Sequence, residues 1–183
     1  SEQSRQTLAR LIEEFSGPYA LYDINLRKDC YTPEIIQASL SKSTILKLND
    51  TEVPVVANMY GLPETLPEFA EGLFNVTPLH YCLITLGSNG AFAVSHQKES
   101  VYEPAYQVDL VDTCGSGDAF TAGFLVTLLQ HHNLREACRV GNALGAMVAE
   151  QPGATQPITL EEVRQFMQNR EHGSIFEPLG EYA

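Results

Sequence analysis

The chain has 183 residues, a hydrophobic fraction of 44% and a formal net charge of −12, from 11 basic and 23 acidic side chains. This length and composition suit one domain with a single core, so residues 1–183 are expected to form one unit. The charge argues against nucleic acid and anionic membranes as partners, and no segment has the length of a membrane span or the pattern of a signal peptide. We therefore expect a cytoplasmic protein that binds any anionic ligand through backbone amides, a metal or a few local cations.

Helices and strands are predicted to alternate in the first part of the chain. An opening helix is indicated by apolar residues at helical spacing, namely Leu8, Leu11, Ile12 and Phe15. Next come a strand at about residues 19–24, a helix at Pro33–Leu40, a strand at about 44–48 and helical segments between 51 and 74. Such alternation favours an α/β protein with a mostly parallel sheet and helices on its faces.

The second part opens with an almost continuous apolar run at residues 81–86, which is typical of a strand buried on both faces. Residues 87–90 read Gly-Ser-Asn-Gly and predict a tight hairpin turn into a strand at 91–94, which adds antiparallel pairing. Further helices are predicted from about residue 117, at Leu134–Ala149 and at Leu160–Asn169. The residues from Glu171 onward show no periodicity, so we expect them to be irregular or frayed.

The segment with the most chemical content is Asp112-Thr113-Cys114-Gly115-Ser116-Gly117-Asp118, directly before and within the start of a helix. The first N–H groups of a helix have no partner within it, and Gly115 and Gly117 permit unusual dihedral angles, so several N–H groups can converge on one oxyanion. Asp118 would then stand beside that anion as a proton acceptor. An acid at a helix start also complements the helix dipole, but two acids, a hydroxyl and two glycines exceed what a cap requires.

This segment resembles the signature of the ribokinase-like (PfkB) carbohydrate kinases. The resemblance implies a three-layer α/β/α fold with a mostly parallel sheet and an antiparallel hairpin. It also implies ATP-dependent phosphorylation of a sugar hydroxyl, with Mg²⁺ as the metal. Asp118 would contact the sugar as the catalytic base, and Gly115, Ser116 and Gly117 would form the anion hole. Asp112 and Thr113, together with the two glycines, would also contact the nucleotide.

A second loop, Asp23-Ile24-Asn25-Leu26-Arg27, follows the first strand at the end of the sheet where ligands bind in open parallel sheets. It resembles the fructokinase and 2-keto-3-deoxygluconate kinase branches of the family. The resemblance implies that Arg27 faces the sugar or the transferred phosphoryl group. The alternative is a polar loop with a solvated arginine.

Asn49-Asp50-Thr51-Glu52 follows the next strand in the same way. Asn followed three residues later by Glu is nearly a capping box, which needs no ligand. The family carries Asn-x-x-Glu at this point, which implies that Asn49 contributes to the nucleotide site and that Glu52 binds Mg²⁺ through water. Both roles are compatible, because Mg²⁺ keeps several of its waters.

Four further residues are assigned to the nucleotide site by resemblance. Thr85, Gly87 and Gly90 correspond to the strand and glycine turn beside the phosphates, although a plain hairpin explains them equally well. Asn142 lies in a helix of small residues that borders the adenine pocket in the family; close helix packing is the alternative. In many members a turn that residues 151–155 resemble, together with the Asp that corresponds to Asp112, also helps to bind a monovalent cation. Cys114 stands where several members have Thr, which argues against direct K⁺ binding.

The resemblance covers the second half of a typical family member. The first half, with much of the sugar pocket and the β-sheet lid, has no counterpart here, so we expect weak or no kinase activity from residues 1–183 alone. A homodimer, or pairing with an amino-terminal portion, is also expected. The alternatives are a non-catalytic nucleotide-binding or interaction module derived from such a kinase, and a vitamin or nucleoside kinase of the same superfold.

Overall fold

The computed structural model of the protein describes residues 2–27 and 30–183. The elements up to the third strand are α1 (Glu2–Glu14), β1 (Leu21–Asp23), α2 (Pro33–Leu40), β2 (Ile45–Asn49), α3 (Val53–Tyr60), α4 (Leu66–Val76) and β3 (Tyr81–Thr85). The elements that follow are a 3₁₀ turn (Gly87–Asn89), β4 (Ala91–Ser95), β5 (Ser100–Glu103), α5 (Ser116–His131), α6 (Leu134–Ala149), α7 (Leu160–Asn169) and a 3₁₀ helix (Glu177–Tyr182).

The five strands form one mixed sheet in the order of the chain. The β1–β2 and β2–β3 pairs are parallel, whereas β3–β4 and β4–β5 are antiparallel. The predicted parallel start and the predicted hairpin are therefore both present. The sequence predicts no strand at Ser100–Glu103, because this short segment lies in polar surroundings; its pairing with the buried β4 makes it a strand.

Helices cover both faces of the sheet, which gives the three layers expected for an α/β/α fold. On one face, the apolar side chains of α2, α3 and α4 pack on Leu46, Leu48 and Ile84. On the other face, those of α5 and α6 pack on Ile45 and Leu83. Strand residues alternate between the two clusters because successive side chains of a strand point to opposite faces. The start of α5 therefore lies on the face that carries the odd-numbered residues of β2.

The carboxyl-terminal segment is ordered against the core, so the expectation of an irregular or frayed tail is wrong. Leu179 is buried, and the Tyr182 ring packs edge-on against Phe92 at 5.4 Å between ring centroids. The Phe176 N–H donates to the Tyr102 hydroxyl oxygen at 3.0 Å. These contacts join residues that are remote in sequence, so the local apolar pattern does not predict them.

The first helix leaves its apolar side exposed within the described part of the chain. Leu8, Leu11 and Phe15 are 58%, 60% and 53% exposed. The apolar pattern predicted this helix correctly, but nothing in the described residues covers its stripe. Across the same residues, no helix combines the length and apolarity that crossing a bilayer requires.

Candidate active site

The glycine turn before α5 has the geometry of an anion site. Gly115 has φ +80°, in the left-handed region that favours glycine, and a Cβ there would lie 2.5 Å from the Ala154 Cβ. Gly117 has no positive φ, so the expectation of unusual dihedrals holds for Gly115 only. Within the described ranges, the N–H groups of Gly115, Gly117 and Asp118 donate to no protein acceptor, whereas the Ser116 N–H donates to the Thr113 oxygen at 3.2 Å.

Asp118 occupies the first turn of α5, one residue after the glycine turn, and its side chain is exposed. In the part of the chain that the structure describes, its carboxylate forms no hydrogen bond or ion pair. The carboxylate is therefore available to accept a proton from a bound group. Asp118 is the third residue of α5, where its charge also complements the helix dipole without any hydrogen bond.

Asp112 joins the glycine turn to the segment after α6. Its two carboxylate oxygens accept the N–H of Cys114 at 2.9 Å and the N–H of Gly153 at 3.1 Å. These backbone hydrogen bonds, first from Cys114 and then from Gly153, hold the pKa of Asp112 below its ordinary value. Asp112 thus shapes the turn, and Thr113 beside it is exposed.

Asn49 and Glu52 are joined by reciprocal hydrogen bonds. The Asn49 N–H donates to Glu52 Oε2 at 2.8 Å, and the Glu52 N–H donates to Asn49 Oδ1 at 3.0 Å. Glu52 Oε1 also accepts the Leu26 N–H at 2.7 Å, so this buried carboxylate ties the loop after β1 to the end of β2. Because α3 begins at Val53 and no side chain caps it, these bonds close the turn before the helix, and the capping role considered for these residues is not present.

Arg27 lies in the same loop, exposed, with its Nε 3.4 Å from Asn25 Oδ1. Asn25 has φ +42°, so the loop turns sharply after β1. Because the carboxyl ends of parallel β1 and β2 meet at one edge of the sheet, Arg27 and Asn49 lie at the same edge. The structure gives Arg27 no ion-pair partner among the described residues.

Thr85 and the two turn glycines lie at the end of β3. The Thr85 hydroxyl donates to the Leu48 oxygen at 3.4 Å, and Thr85 pairs in register with Asn49. The turn is one 3₁₀ turn rather than a two-residue hairpin. Gly87 has φ +57° with open space around it, whereas a Cβ at Gly90 would collide with the Glu103 carbonyl oxygen. Close packing therefore explains why residue 90 is glycine, whereas no packing contact requires glycine at residue 87.

Asn142 is tied to the backbone after β5. Its Nδ2 donates to the carbonyl oxygens of Glu103 at 3.0 Å and Pro104 at 3.3 Å, which leaves the amide oxygen for any ligand. The neighbouring glycines of α6 allow close helix packing: a Cβ at Gly141 would lie 2.9 Å from the Phe120 ring, and one at Gly145 would lie 3.1 Å from the Ser116 oxygen. α6 thus supports the first turn of α5.

One charged pair near this end of the sheet is not among the residues expected from the sequence. Lys47, in the middle of β2, is only 8% exposed, and its Nζ lies 3.0 Å from Asp23 Oδ2. A Cβ at Gly117 would lie 3.2 Å from the same Nζ, so the ammonium lies directly beside the glycine turn. A lysine within the apolar run Ile45-Leu46-Lys47-Leu48 is the sequence signal that points to it.

No group of three or more His, Cys, Asp or Glu side chains in the described ranges is arranged to hold a metal directly. The donor set nevertheless fits a hydrated Mg²⁺, which keeps several waters and needs few protein ligands. Both oxygens of Glu52 are fixed by backbone N–H groups and retain further lone pairs for a metal-bound water.

Comparison with known proteins assigns the chain to a family. A model of the pfkB family carbohydrate kinases matches residues 7–161. The chain is 33% identical over 156 residues to aminoimidazole riboside kinase of Salmonella typhimurium, covering 80% of this chain and 47% of that protein. It is 30% identical over 131 residues to ribokinase of Haemophilus influenzae, covering 71% of this chain and 42% of that protein.

Solved structures agree on the fold. Aminoimidazole riboside kinase from Salmonella enterica, solved with aminoimidazole riboside and an ATP analogue, matches with a TM-score of 0.69 and 30% identity, over 89% of this chain and 56% of that one. Fructokinase from Vibrio cholerae O395, at 22% identity and a TM-score of 0.76, covers 90% of this chain and 56% of its own and shows the shared fold alone.

The two curated relatives match this chain over a similar share of their own length. The chain spans about half the length of the curated relatives named above. The family model nevertheless covers most of residues 1–183, including the glycine turn, Asp118 and the strands that face them. The chain belongs to the PfkB family of carbohydrate kinases.

Proposed function

We propose that this chain carries the ATP side and the catalytic base of a carbohydrate kinase. The observation that carries the proposal is the turn before α5, where the N–H groups of Gly115, Gly117 and Asp118 have no acceptor among the described residues. The adjacent Asp118 carboxylate is exposed and likewise unpaired there. A phosphoryl group on the turn would stand directly beside a proton acceptor.

The proposed step is the transfer of the ATP γ-phosphoryl group to a sugar hydroxyl. The hydroxyl gives its proton to Asp118 while its oxygen forms a bond to phosphorus, and the bond between the γ-phosphorus and the β,γ-bridging oxygen breaks to release ADP. The N–H groups of the turn hold the charged equatorial oxygens. Phosphoryl transfer requires mainly such positioning and electrostatic stabilisation.

The remaining residues are proposed to bind and orient the substrates. Asn49, Thr85, Gly87, Gly90, Asp112, Thr113 and Asn142 are proposed to line the nucleotide site. Glu52 would hold Mg²⁺ through water; when bound, the metal neutralises phosphate charge. Arg27 is proposed to face the sugar or the transferred group, since a planar guanidinium suits either. The Cys114 position argues against a direct K⁺ ligand.

The proposed acceptor is a fructose-like sugar or a riboside. The Asp-x-Asn-x-Arg loop supports a fructokinase-like acceptor, and the 33% identity to aminoimidazole riboside kinase supports a riboside. Pairing with a second copy or with an amino-terminal portion stays a prediction. The exposed stripe of α1 and the position of β1 at the edge of the sheet support it.

A second candidate function is a nucleotide-binding module without turnover, which would use the same unpaired N–H groups of the turn before α5. Titration calorimetry with ATP/Mg²⁺ and ADP/Mg²⁺, followed by ADP-release assays with fructose, ribose, 2-keto-3-deoxygluconate, aminoimidazole riboside and ribonucleosides, separates the candidates. Nucleotide binding with turnover on a sugar or riboside supports the kinase, and binding without turnover supports the module. Absence of nucleotide binding contradicts both.

A further inference from the structure

Lys47 is a buried cation in the middle of a core strand. Its neighbours along β2 are apolar and fully buried, and its register partner on β3 is Leu83. It shares a sheet face with Asp23 on β1 and with Asn49 at the end of its own strand. That face is the one on which α5 packs.

The ammonium has donors left over for a ligand. Nζ lies 3.0 Å and 3.2 Å from the two oxygens of one carboxylate, that of Asp23, and has no other acceptor among the described residues. An ammonium has three N–H donors. Its remaining hydrogen-bonding capacity is available beside the Gly117 Cα, where the glycine turn also presents unpaired N–H groups.

Stability alone is a weak explanation for this pair. A buried ion pair loses hydration at both charges, and well-packed apolar residues often serve as well or better in its place. Gly117 adds a second indication, because any side chain there would come within 3.2 Å of the ammonium. The absence of a side chain keeps open the space between Lys47 and the turn.

We propose that Lys47 is a phosphate-binding residue that contacts the terminal phosphate of ATP from the sheet side and makes the site prefer ATP to ADP. Asp23 neutralises the buried ammonium when no ligand is bound and yields part of its hydrogen bonding when the phosphate arrives. This inference rests on the proposed function. The chain has only 11 basic residues against 23 acidic ones, so one placed cation has a large effect on the local charge.

The test compares affinities for ATP/Mg²⁺ and ADP/Mg²⁺, measured by titration calorimetry on the 183-residue chain. Lys47→Met should weaken ATP binding by about tenfold or more while changing ADP binding by less than about threefold. Lys47→Arg keeps the charge and should retain most of the preference. Lys42→Met, at an exposed position at the end of α2, is the matched control and should change neither affinity.

Asp23→Asn separates a ligand-binding role from a structural one. It removes the ion pair but keeps the ammonium, so it should preserve or increase the preference for ATP. Equal loss of the preference in Asp23→Asn and Lys47→Met would assign the effect to the ion pair and overturn the proposal. If Lys47→Met does not fold, the double variant Asp23→Asn/Lys47→Met removes both charges and should still lose the preference.

Failure of the Lys47 proposal can be distinguished from failure of the proposed function. A wild-type chain that binds neither nucleotide contradicts the proposed function itself. A wild-type chain that binds both, with an ATP preference unchanged in Lys47→Met or with no ATP preference at all, contradicts only the role of Lys47.

Discussion

Asp112 Oδ2 accepts a hydrogen bond from the Gly153 N–H at 3.1 Å, which fastens the turn before α5 to the segment after α6. Its other oxygen accepts the Cys114 N–H within the turn itself. One carboxylate thus fixes two chain segments that are distant in sequence. The stability of the fold should therefore depend on pH, and the direction of that dependence follows from the lowered pKa of Asp112.

The two backbone N–H groups hold the pKa of Asp112 below its ordinary value of 3.8. A carboxyl group with a lowered pKa stabilises the fold fully above its unfolded pKa, and the effect is lost as the pH falls through the lower, folded value. Asp112→Asn should therefore be less stable than wild type near neutral pH, and the difference should shrink as the pH falls below 3.8 and through the lowered pKa of the folded state.

Urea unfolding at a series of pH values measures this difference. The control is Asp109→Asn, an exposed aspartate three residues earlier, which should show no such trend. A stability gap that persists unchanged in acid would contradict the role given to the Asp112 carboxylate.

Gly115 and Gly153 offer a matched pair of glycines, with φ of +80° and +79°. Alanine at either position incurs left-handed strain of about 1 kcal/mol. Only Gly115 also packs against Ala154, so Gly115→Ala should distort the turn and weaken ATP binding by about tenfold. Gly153→Ala, which has open space around it, should leave ATP binding within about threefold of wild type. Equal losses in both variants would remove the turn geometry as the cause.

Asp118→Asn tests the proposed base. The change is nearly isosteric at an exposed position, so folding and ADP binding should be retained. Loss of a general base lowers turnover by about a hundredfold or more. The measurement requires a protein with measurable turnover on its sugar or riboside, and Asp109→Asn again serves as the control. Near-normal turnover in Asp118→Asn would exclude it as the base.

Tyr102→Phe tests the attachment of the carboxyl-terminal segment. The buried Tyr102 hydroxyl donates to the Asn89 oxygen at 2.6 Å and accepts the Phe176 N–H at 3.0 Å. Its removal breaks both hydrogen bonds, at a cost of about 0.5–1.5 kcal/mol each. Urea unfolding should show this loss, together with faster proteolysis after residue 170.

Tyr60→Phe is the control for that variant. Tyr60 is half-buried and its hydroxyl has no hydrogen-bond partner in the described ranges. Its replacement should therefore be nearly neutral. A similar loss in both tyrosine variants would show that the Tyr102 hydrogen bonds are not responsible.

Much of the fold follows from local patterns. Pro33–Leu40, Leu134–Ala149 and Leu160–Asn169 have the predicted boundaries, because periodic apolar side chains and caps are local features. The 3₁₀ helix at Glu177–Tyr182 does not follow from local patterns, because it packs on a core that is remote in sequence. β5 pairs with β4, which ends at Ser95, but its own four residues are too short a run to establish a periodicity.

The site shows the same division. Asp118 and the glycine turn can be predicted from one short segment, and the hydrogen-bonded pair Asn49 and Glu52 from another. The Lys47–Asp23 pair is not, since it forms only when two parallel strands come into register. Asn142 is a residue whose helix is predicted correctly but whose amide contacts depend on how α6 packs against the end of β5.

Gly145 of α6 lies beneath the Ser116 carbonyl, where a Cβ would approach to 3.1 Å. The distance between the first turn of α5 and α6 therefore depends on Gly145. The position of Asp118 depends on it too, although Gly145 lies on another helix and has no reactive group. Variation at this glycine would alter the alignment of the reacting groups without touching them. The geometry of the site is thus determined partly by a residue that contacts no substrate.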